Sequence, residues 1–282
     1  MKKVAVIQDL SSFGKCSLTA AIPVLSVMGV QASPLPTAIL SAQTEFPSYF
    51  CEDLTDKIPV FEAEWRKLNA SFDGIHTGYI TGKEQITHIL HFLDAFYKEH
   101  TLLLVDPVMA DVGGAYTNFD QYLLAQMKEL IKRADIITPN ITEFGLLTGL
   151  THDSLLRYTN ETDYLQAIQE AGQQLQSETA AHVIITGIHS PVVQNDVQSI
   201  GNMYINEEST MYSAVPYNGN SYSGTGDLFA SVIMGSMMRG DTIPAAIKLA
   251  ETFLATAIQD TSKAGTPPVE GVNFETYLRM LL

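Results

Sequence analysis

Apolar residues along the chain fall into two patterns that alternate: short unbroken runs, and longer stretches with an apolar residue every three to four positions. Unbroken runs suit strands buried on both faces, and the 3–4 spacing marks one face of a helix. Residues 4–8, 30–40, 74–79, 102–105, 136–138 and 182–186 are predicted as strands. Pro34 and Pro36 place the second of these at a sheet edge, because proline has no N–H to give a ladder. Helical spacing is carried by Leu18, Ala21, Ile22, Leu25 and Met28, closed by Gly29. Further helices are predicted over residues 62–68, 86–96, 123–131, 141–147 (with Gly149 just beyond) and 163–176, then in a segment ending at Gly240 and one spanning Ala245 to Leu254. Residues 192–215 alternate like antiparallel strands, while 9–13 and 41–48 read as loops, the latter over a site. Strands alternating with helices predict an α/β fold: one mostly parallel central sheet with helices on both faces. No linker or repeat interrupts the pattern, so a single domain over 1–282 is expected.

Charge narrows the partners. Sixteen Lys and Arg stand against 31 Asp and Glu, a formal net charge of -15, which disfavours nucleic acid and anionic membrane surfaces. Phosphates would have to be held by backbone N–H groups, helix starts and Mg²⁺ rather than by a basic patch. The opening MKKVAVIQD has too short an apolar run for a signal peptide or membrane span. The only cysteines, Cys16 and Cys51, form no CxxC pair, so a reduced, cytoplasmic setting is expected.

The densest chemical signal is residues 221–230, SYSGTGDLFA. Gly224, Thr225 and Gly226 lead into Asp227 and then an apolar helical run, so turn N–H groups and a helix start would converge on an anion, with Asp227 beside it as base. The same residues also fit a plain glycine turn with Asp227 as N-cap. In an open parallel sheet the ligand lies beyond the carboxyl ends of the strands. Polar residues at those ends are Asp9, Thr77, Tyr79, Asp106, Asp111, Thr138, Asn140, Glu143 and Thr186. Asp106, Asp111, Glu143 and Asp227 are expected to converge on one rim, where Mg²⁺ would relieve their repulsion. Singly, a strand-end Asp such as Asp106 is equally a turn residue. Gly14-Lys15-Cys16 is similar to the end of a Walker A loop, but Asp9 stands where its first glycine belongs and Cys16 replaces the Mg²⁺-binding hydroxyl, so a P-loop is rejected. Cys16 reads as a small buried hydrophobe and His76 as a satisfied structural residue.

Five motifs in order then carry a resemblance: Ile7-Gln8, Thr77-Gly78-Tyr79, Asp106-Pro107-Val108-Met109-Ala110-Asp111, Ile137-Thr138-Pro139-Asn140 with Glu143, and Gly224-Thr225-Gly226-Asp227-Leu228-Phe229-Ala230. Together they resemble the pyridoxal kinase branch of the ribokinase-like superfamily across nearly the whole chain. The resemblance implies a three-layer ribokinase-like fold, ATP-dependent phosphorylation of the 5′-hydroxymethyl group of a B6 vitamer (pyridoxal, pyridoxine or pyridoxamine), Mg²⁺, a monovalent cation as a further candidate, and a homodimer. It implies Asp227 as catalytic base and Gly224, Thr225 and Gly226 as the anion hole. Asp106 and Glu143 would lie on the metal side, Asp106, Asp111, Thr138, Thr186, Thr225 and Gly226 on the ATP side, and Asp9, Thr44 and Tyr79 on the substrate side. The chain departs from the pattern at Asp9, where the branch has Ser, at Leu40, where an aromatic is usual, and at Gln43, where His is usual. Asp9-Leu10-Ser11-Ser12 is similar instead to hydroxymethylpyrimidine kinases, which leaves that kinase, or a catalytically silent vitamin-binding protein, as alternatives.

Overall fold

A computed structural model of the chain describes residues 1–111, 114–115, 119–191, 198–217 and 219–282; residues 192–197 of the stretch expected to alternate lie outside the described residues. The chain begins β1 (Lys3–Ser11), α1 (Ser17–Val27), β2 (Gln31–Leu40), β3 (Cys51–Asp53), α2 (Ile58–Lys67), β4 (Gly74–Thr77), α3 (Lys83–Phe96) and β5 (Leu102–Val105). It continues through a two-residue pair, β6 (Ala110–Asp111) and β7 (Gly114–Ala115), then α4 (Gln121–Ile131), β8 (Ile136–Ile137), α5 (Ile141–Thr148), α6 (His152–Leu155) and α7 (Glu161–Thr179). It ends with β9 (His182–His189), β10 (Gln198–Ile205), β11 (Thr210–Tyr217), α8 (Thr225–Arg239) and α9 (Ile243–Lys263), followed by short 3₁₀ turns. The chain divides into two compact units, Met1–Asp106 with Asn220–Leu282, and Pro107–Gly219.

In the first unit the strands run in the order β3-β2-β1-β4-β5, parallel throughout except for β3. Val4, Ala5, Val6 and Ile7 of β1 are wholly buried, as a strand covered on both faces requires. Two expectations change here. β2 is not the edge strand, because β3 pairs with Ala38–Leu40; Pro34 and Pro36 precede that segment and face Val6 and Gln8 of β1. The run 9–13 is not all loop, because β1 continues to Ser11 through a bulge that sets Thr37 and Ala38 opposite Asp9. The extra residue is on β2, which bends there, with Asp9 of β1 opposite it.

α1 runs through Pro23, which has no N–H to return to the carbonyl four residues back, and stops before Gly29, whose φ of 78° only glycine adopts readily. α1 and α9 both pack on α8, and α2 packs on α3 through an aromatic cluster of Phe61, Trp65, Phe72, Phe92 and Phe96. α8 sits hard against β4: a Cβ on Gly74 would lie 3.0 Å from Met234 Sδ and 3.2 Å from Val4 Cγ2.

In the second unit β8 and β9 are parallel and β10 and β11 continue antiparallel, as a mostly parallel sheet and the alternating pattern up to residue 215 predict. Eight-residue strands joined by a four-residue turn, Asn206 to Ser209, pair directly and need no crossover helix. Among the described residues no helix is long and apolar enough to cross a membrane.

Candidate functional site

The turn before α8 takes its shape from Gly224. Its φ is 79°, and a Cβ there would fall 2.0 Å from the Lys15 carbonyl oxygen, so no side chain fits. Gly224 is therefore the N-cap of α8, which displaces Asp227 from the capping role that the sequence left open; Asp227 lies three positions into the helix. The Leu228 N–H bonds to the Gly224 carbonyl (3.0 Å), and Thr225 returns both its N–H and its hydroxyl to the Tyr222 carbonyl. The N–H groups of Gly226 and Asp227 meet no acceptor among the described residues, as the first turn of a helix allows. These are donors ready for an anion.

Asp227 is half-buried, and desolvation pushes its pKa up to about 7 against a donor from the Ser17 backbone, with the charge of Asp9 raising it further. Asp9 itself is 3% exposed; burial raises its pKa, while the hydroxyls of Ser17 and Ser11 pull the other way, Ser11 Oγ donating to Asp9 Oδ2 at 2.7 Å. Ser17 opens α1 with a φ of 48°, a left-handed conformation that costs a non-glycine residue energy and that clusters at functional sites. Ser11 and Ser17 were not singled out from sequence, since serine after a strand and before a helix signals only a turn.

Cys16 is buried between these acids, and burial followed by the charges of Asp227 and Asp9 pushes its thiol pKa up, so it stays protonated. Lys15 pairs with Asn273 and Glu275 at 2.8 and 2.9 Å, which removes it from any phosphate role. Tyr79, half-buried, has its pKa pushed up to about 12 by burial and then by Asp9. Thr44 is exposed in the loop after β2, between Gln43 and Glu45, both of which reach Ser223. Asp106 follows β5, nearly buried, its N–H bonded to the Thr77 carbonyl. His76 is buried but not satisfied as expected: neither ring nitrogen meets a partner among the described residues, and burial pulls its pKa down to about 4, so it is neutral. Gln8, Thr77 and Ser231 are likewise buried without partners, among the described residues, for their side-chain polar atoms.

In the second unit Glu143 is 3% exposed and its oxygens accept the N–H groups of Met109 (3.0 Å) and Asn140 (2.9 Å). Asn140 caps α5 in return, and its amide donates to the Ala110 carbonyl, which ties the 107–111 segment to the helix start. Thr138 is buried, Thr186 is half-buried and bridges to Asn140, and Asp111 is exposed. Among the described residues no three His, Cys, Asp or Glu side chains gather into a group fit to hold a metal. Within the second unit the Glu143 oxygens turn to backbone donors.

Residues 12–271 match the family model described as phosphomethylpyrimidine kinase. The chain belongs to that family of kinases. Its fold is ribokinase-like: it superimposes on a pyridoxal kinase from Lactobacillus plantarum with a TM-score of 0.86, 32% identity, and coverage of 100% of this chain and 97% of that one. A candidate phosphomethylpyrimidine kinase from Bacteroides thetaiotaomicron, in a form with pyridoxal, gives a TM-score of 0.89 at 38% identity over 99% of this chain and 95% of that one. Among curated relatives, the hydroxymethylpyrimidine/phosphomethylpyrimidine kinase of Bacillus subtilis is 28% identical over 266 residues, 93% of this chain and 84% of its own length. The family thus joins two kinds of kinase whose names differ in the ring and agree in the transferred group.

Proposed function

We propose that the protein is a single-domain, ATP-dependent kinase that phosphorylates the 5′-hydroxymethyl group of pyridoxal, pyridoxine or pyridoxamine, with Asp227 as the base. The observation that carries this reading is Asp227 itself: a carboxylate at a helix start, beside open N–H donors, with its pKa pushed up to about 7. A general base works best when its pKa lies near the working pH. Water has a pKa of about 15.7, and a primary alcohol holds its proton about as tightly, so Asp227 cannot remove that proton from the ground state. In a loose phosphoryl transfer the base orients the hydroxyl and accepts its proton late, after the bond to the leaving oxygen has largely broken. The N–H groups of Gly226 and Asp227 would meet the charge on the transferring oxygens.

On the substrate side Asp9 offers a buried anionic acceptor to a ring N–H or phenolic hydroxyl, with Tyr79 and Thr44 as further contacts. For ATP we assign Asp106, Asp111, Thr138 and Thr186 together with the turn. Mg²⁺ usually needs one or two carboxylates plus substrate phosphates, so a missing protein cage does not argue against it; Asp106 and Glu143 are its candidate carboxylates, and the Glu143 oxygens also hold backbone N–H groups. When bound it neutralises phosphate charge.

A second reading, a hydroxymethylpyrimidine kinase using the same base, is favoured by Asp9 and by the name of the Bacillus relative. An ADP-release assay run side by side with pyridoxal, pyridoxine, pyridoxamine and hydroxymethylpyrimidine separates the two. Higher kcat/KM for the pyrimidine overturns the first reading, and no ADP release with any alcohol overturns both in favour of a silent vitamin-binding protein.

A further inference from the structure

The loop after β2 reaches the glycine turn through a closed ring of side chains. Gln43, 5% exposed, donates through Nε2 to the Val269 carbonyl (2.9 Å) and to Ser223 Oγ (3.3 Å), and its Oε1 accepts the Glu45 N–H (2.8 Å). The Ser223 hydroxyl then donates to Glu45 Oε2 at 2.7 Å. Each member uses a group that the next one needs, so removing any one leaves a donor or acceptor without its partner. Backbone contacts tighten the same junction: the Gln43 N–H donates to the Phe13 carbonyl (2.9 Å), the Ser223 N–H to the Pro268 carbonyl (3.2 Å), and a Cβ on Gly14 would lie 2.7 Å from Gln43 Cγ.

Position gives the ring its meaning. Ser223 directly precedes Gly224, while Gln43 and Glu45 flank Thr44, about 180 residues away in the chain. With both amide hydrogens and the amide oxygen engaged, Gln43 works as a fastener and has no donor left for a ligand. We propose that Gln43, Glu45 and Ser223 are positioning residues that make the loop around Thr44 and the turn ending in Asp227 a single body, so that the turn holds its anion-binding shape only while that loop is seated. The inference rests on the reading of the turn as the phosphoryl holder. Its consequence is that an alcohol settling against Thr44 is felt at the turn, through side chains that touch neither substrate.

The test compares Gln43→Ala, Ser223→Ala, their double variant and Ser223→Thr, which keeps the hydroxyl. Two quantities are read: hydrogen exchange at the Leu228 amide, whose bond to Gly224 closes the turn, and kcat and KM with ATP and the best alcohol of the panel. Each alanine variant is expected to speed Leu228 exchange and lower kcat by about tenfold, the loss of one well-used hydrogen bond, with KM for ATP unchanged. The double variant should be no worse than the weaker single one, because both break the same ring. Ser223→Thr should recover most of kcat. Wild-type exchange at Leu228 in Gln43→Ala, or effects that simply multiply in the double variant, overturn the proposal. If the wild-type protein releases no ADP with any alcohol, the kinase reading fails, and the exchange measurement still decides the coupling by itself.

Discussion

Glu143 and Asp227 occupy the same position in two helices, three residues past the N-cap, yet their surroundings make them different chemical objects. At the start of α5 the cap is Asn140, a full capping box forms, and both Glu143 oxygens receive backbone N–H groups. At the start of α8 the cap is a glycine with no side chain to offer, and the acid is left with its pKa pushed up to about 7. A helix dipole favours both carboxylates alike. What separates them is the count of donors against the loss of water: the one well supplied with donors builds the local structure, and the one stripped of water without full compensation is available to take a proton.

The strongest test of this contrast is Asp227→Asn. Loss of the base should lower kcat by about 10²–10⁴, with KM for ATP little changed, and a variant retaining wild-type kcat would remove Asp227 from the chemistry. Next in size, Asp9→Ala should lower kcat/KM for the preferred alcohol by roughly ten- to a hundredfold, the worth of a charge-assisted hydrogen bond, while ATP kinetics stay the same. A loss of ATP affinity would move Asp9 to the phosphate side.

The pH dependence follows from the sign of the Asp227 shift. Only the carboxylate form can accept the proton, so kcat/KM should rise with pH and level off above about 7, and Asp227→Asn should abolish that limb. Stability runs the other way. The folded pKa lies above the ordinary carboxylate value of 3.8, so between about 4 and 7 the folded state binds more protons than the unfolded one, and this group's contribution falls as pH rises through that window. Thermal melts should therefore show Asp227→Asn gaining most on wild type above pH 7 and least near pH 4. An equal gain at both ends would sink the assignment.

Glu143→Gln should show the smallest catalytic effect. Either amide orientation sets an NH₂ group against one of the two backbone N–H donors, which costs about 1–3 kcal/mol of stability. The expected result is a lower Tm with kcat within about twofold. A large kcat loss at unchanged Tm would return Glu143 to the metal side.

Local pattern made much of this fold readable. The run at 102–105 is β5 to the residue, and the helices over 86–96 and 141–147 were marked by spacing and by Gly149. What escaped depends on partners distant in sequence. Asp9 and Ser11 look like loop residues until the bulge against β2 shows them inside a strand. β3 is three exposed residues, CED, without an apolar signal, and it exists because β2 offers an unpaired side at Ala38–Leu40. The residues around Asp227 were readable as a motif; the φ of Ser17 and the ring through Ser223 were not, since neither leaves a mark in neighbouring residues. His76 was misread because burial of a histidine implies a partner only as a rule, and here the rule fails.

Gly74 turns α8 into a lever. The helix rests on β4 at Met234, seven residues and about 10 Å along its axis from Asp227, and the gap at that rest is filled to 3.0 Å with no Cβ present. Gly74→Ala would act as a shim under one end of a stiff rod, and whatever Met234 and Met238 did not absorb would appear at the other end, where the Asp227 carboxylate sits. A residue in the middle of the sheet would thus bear on the aim of the proposed base.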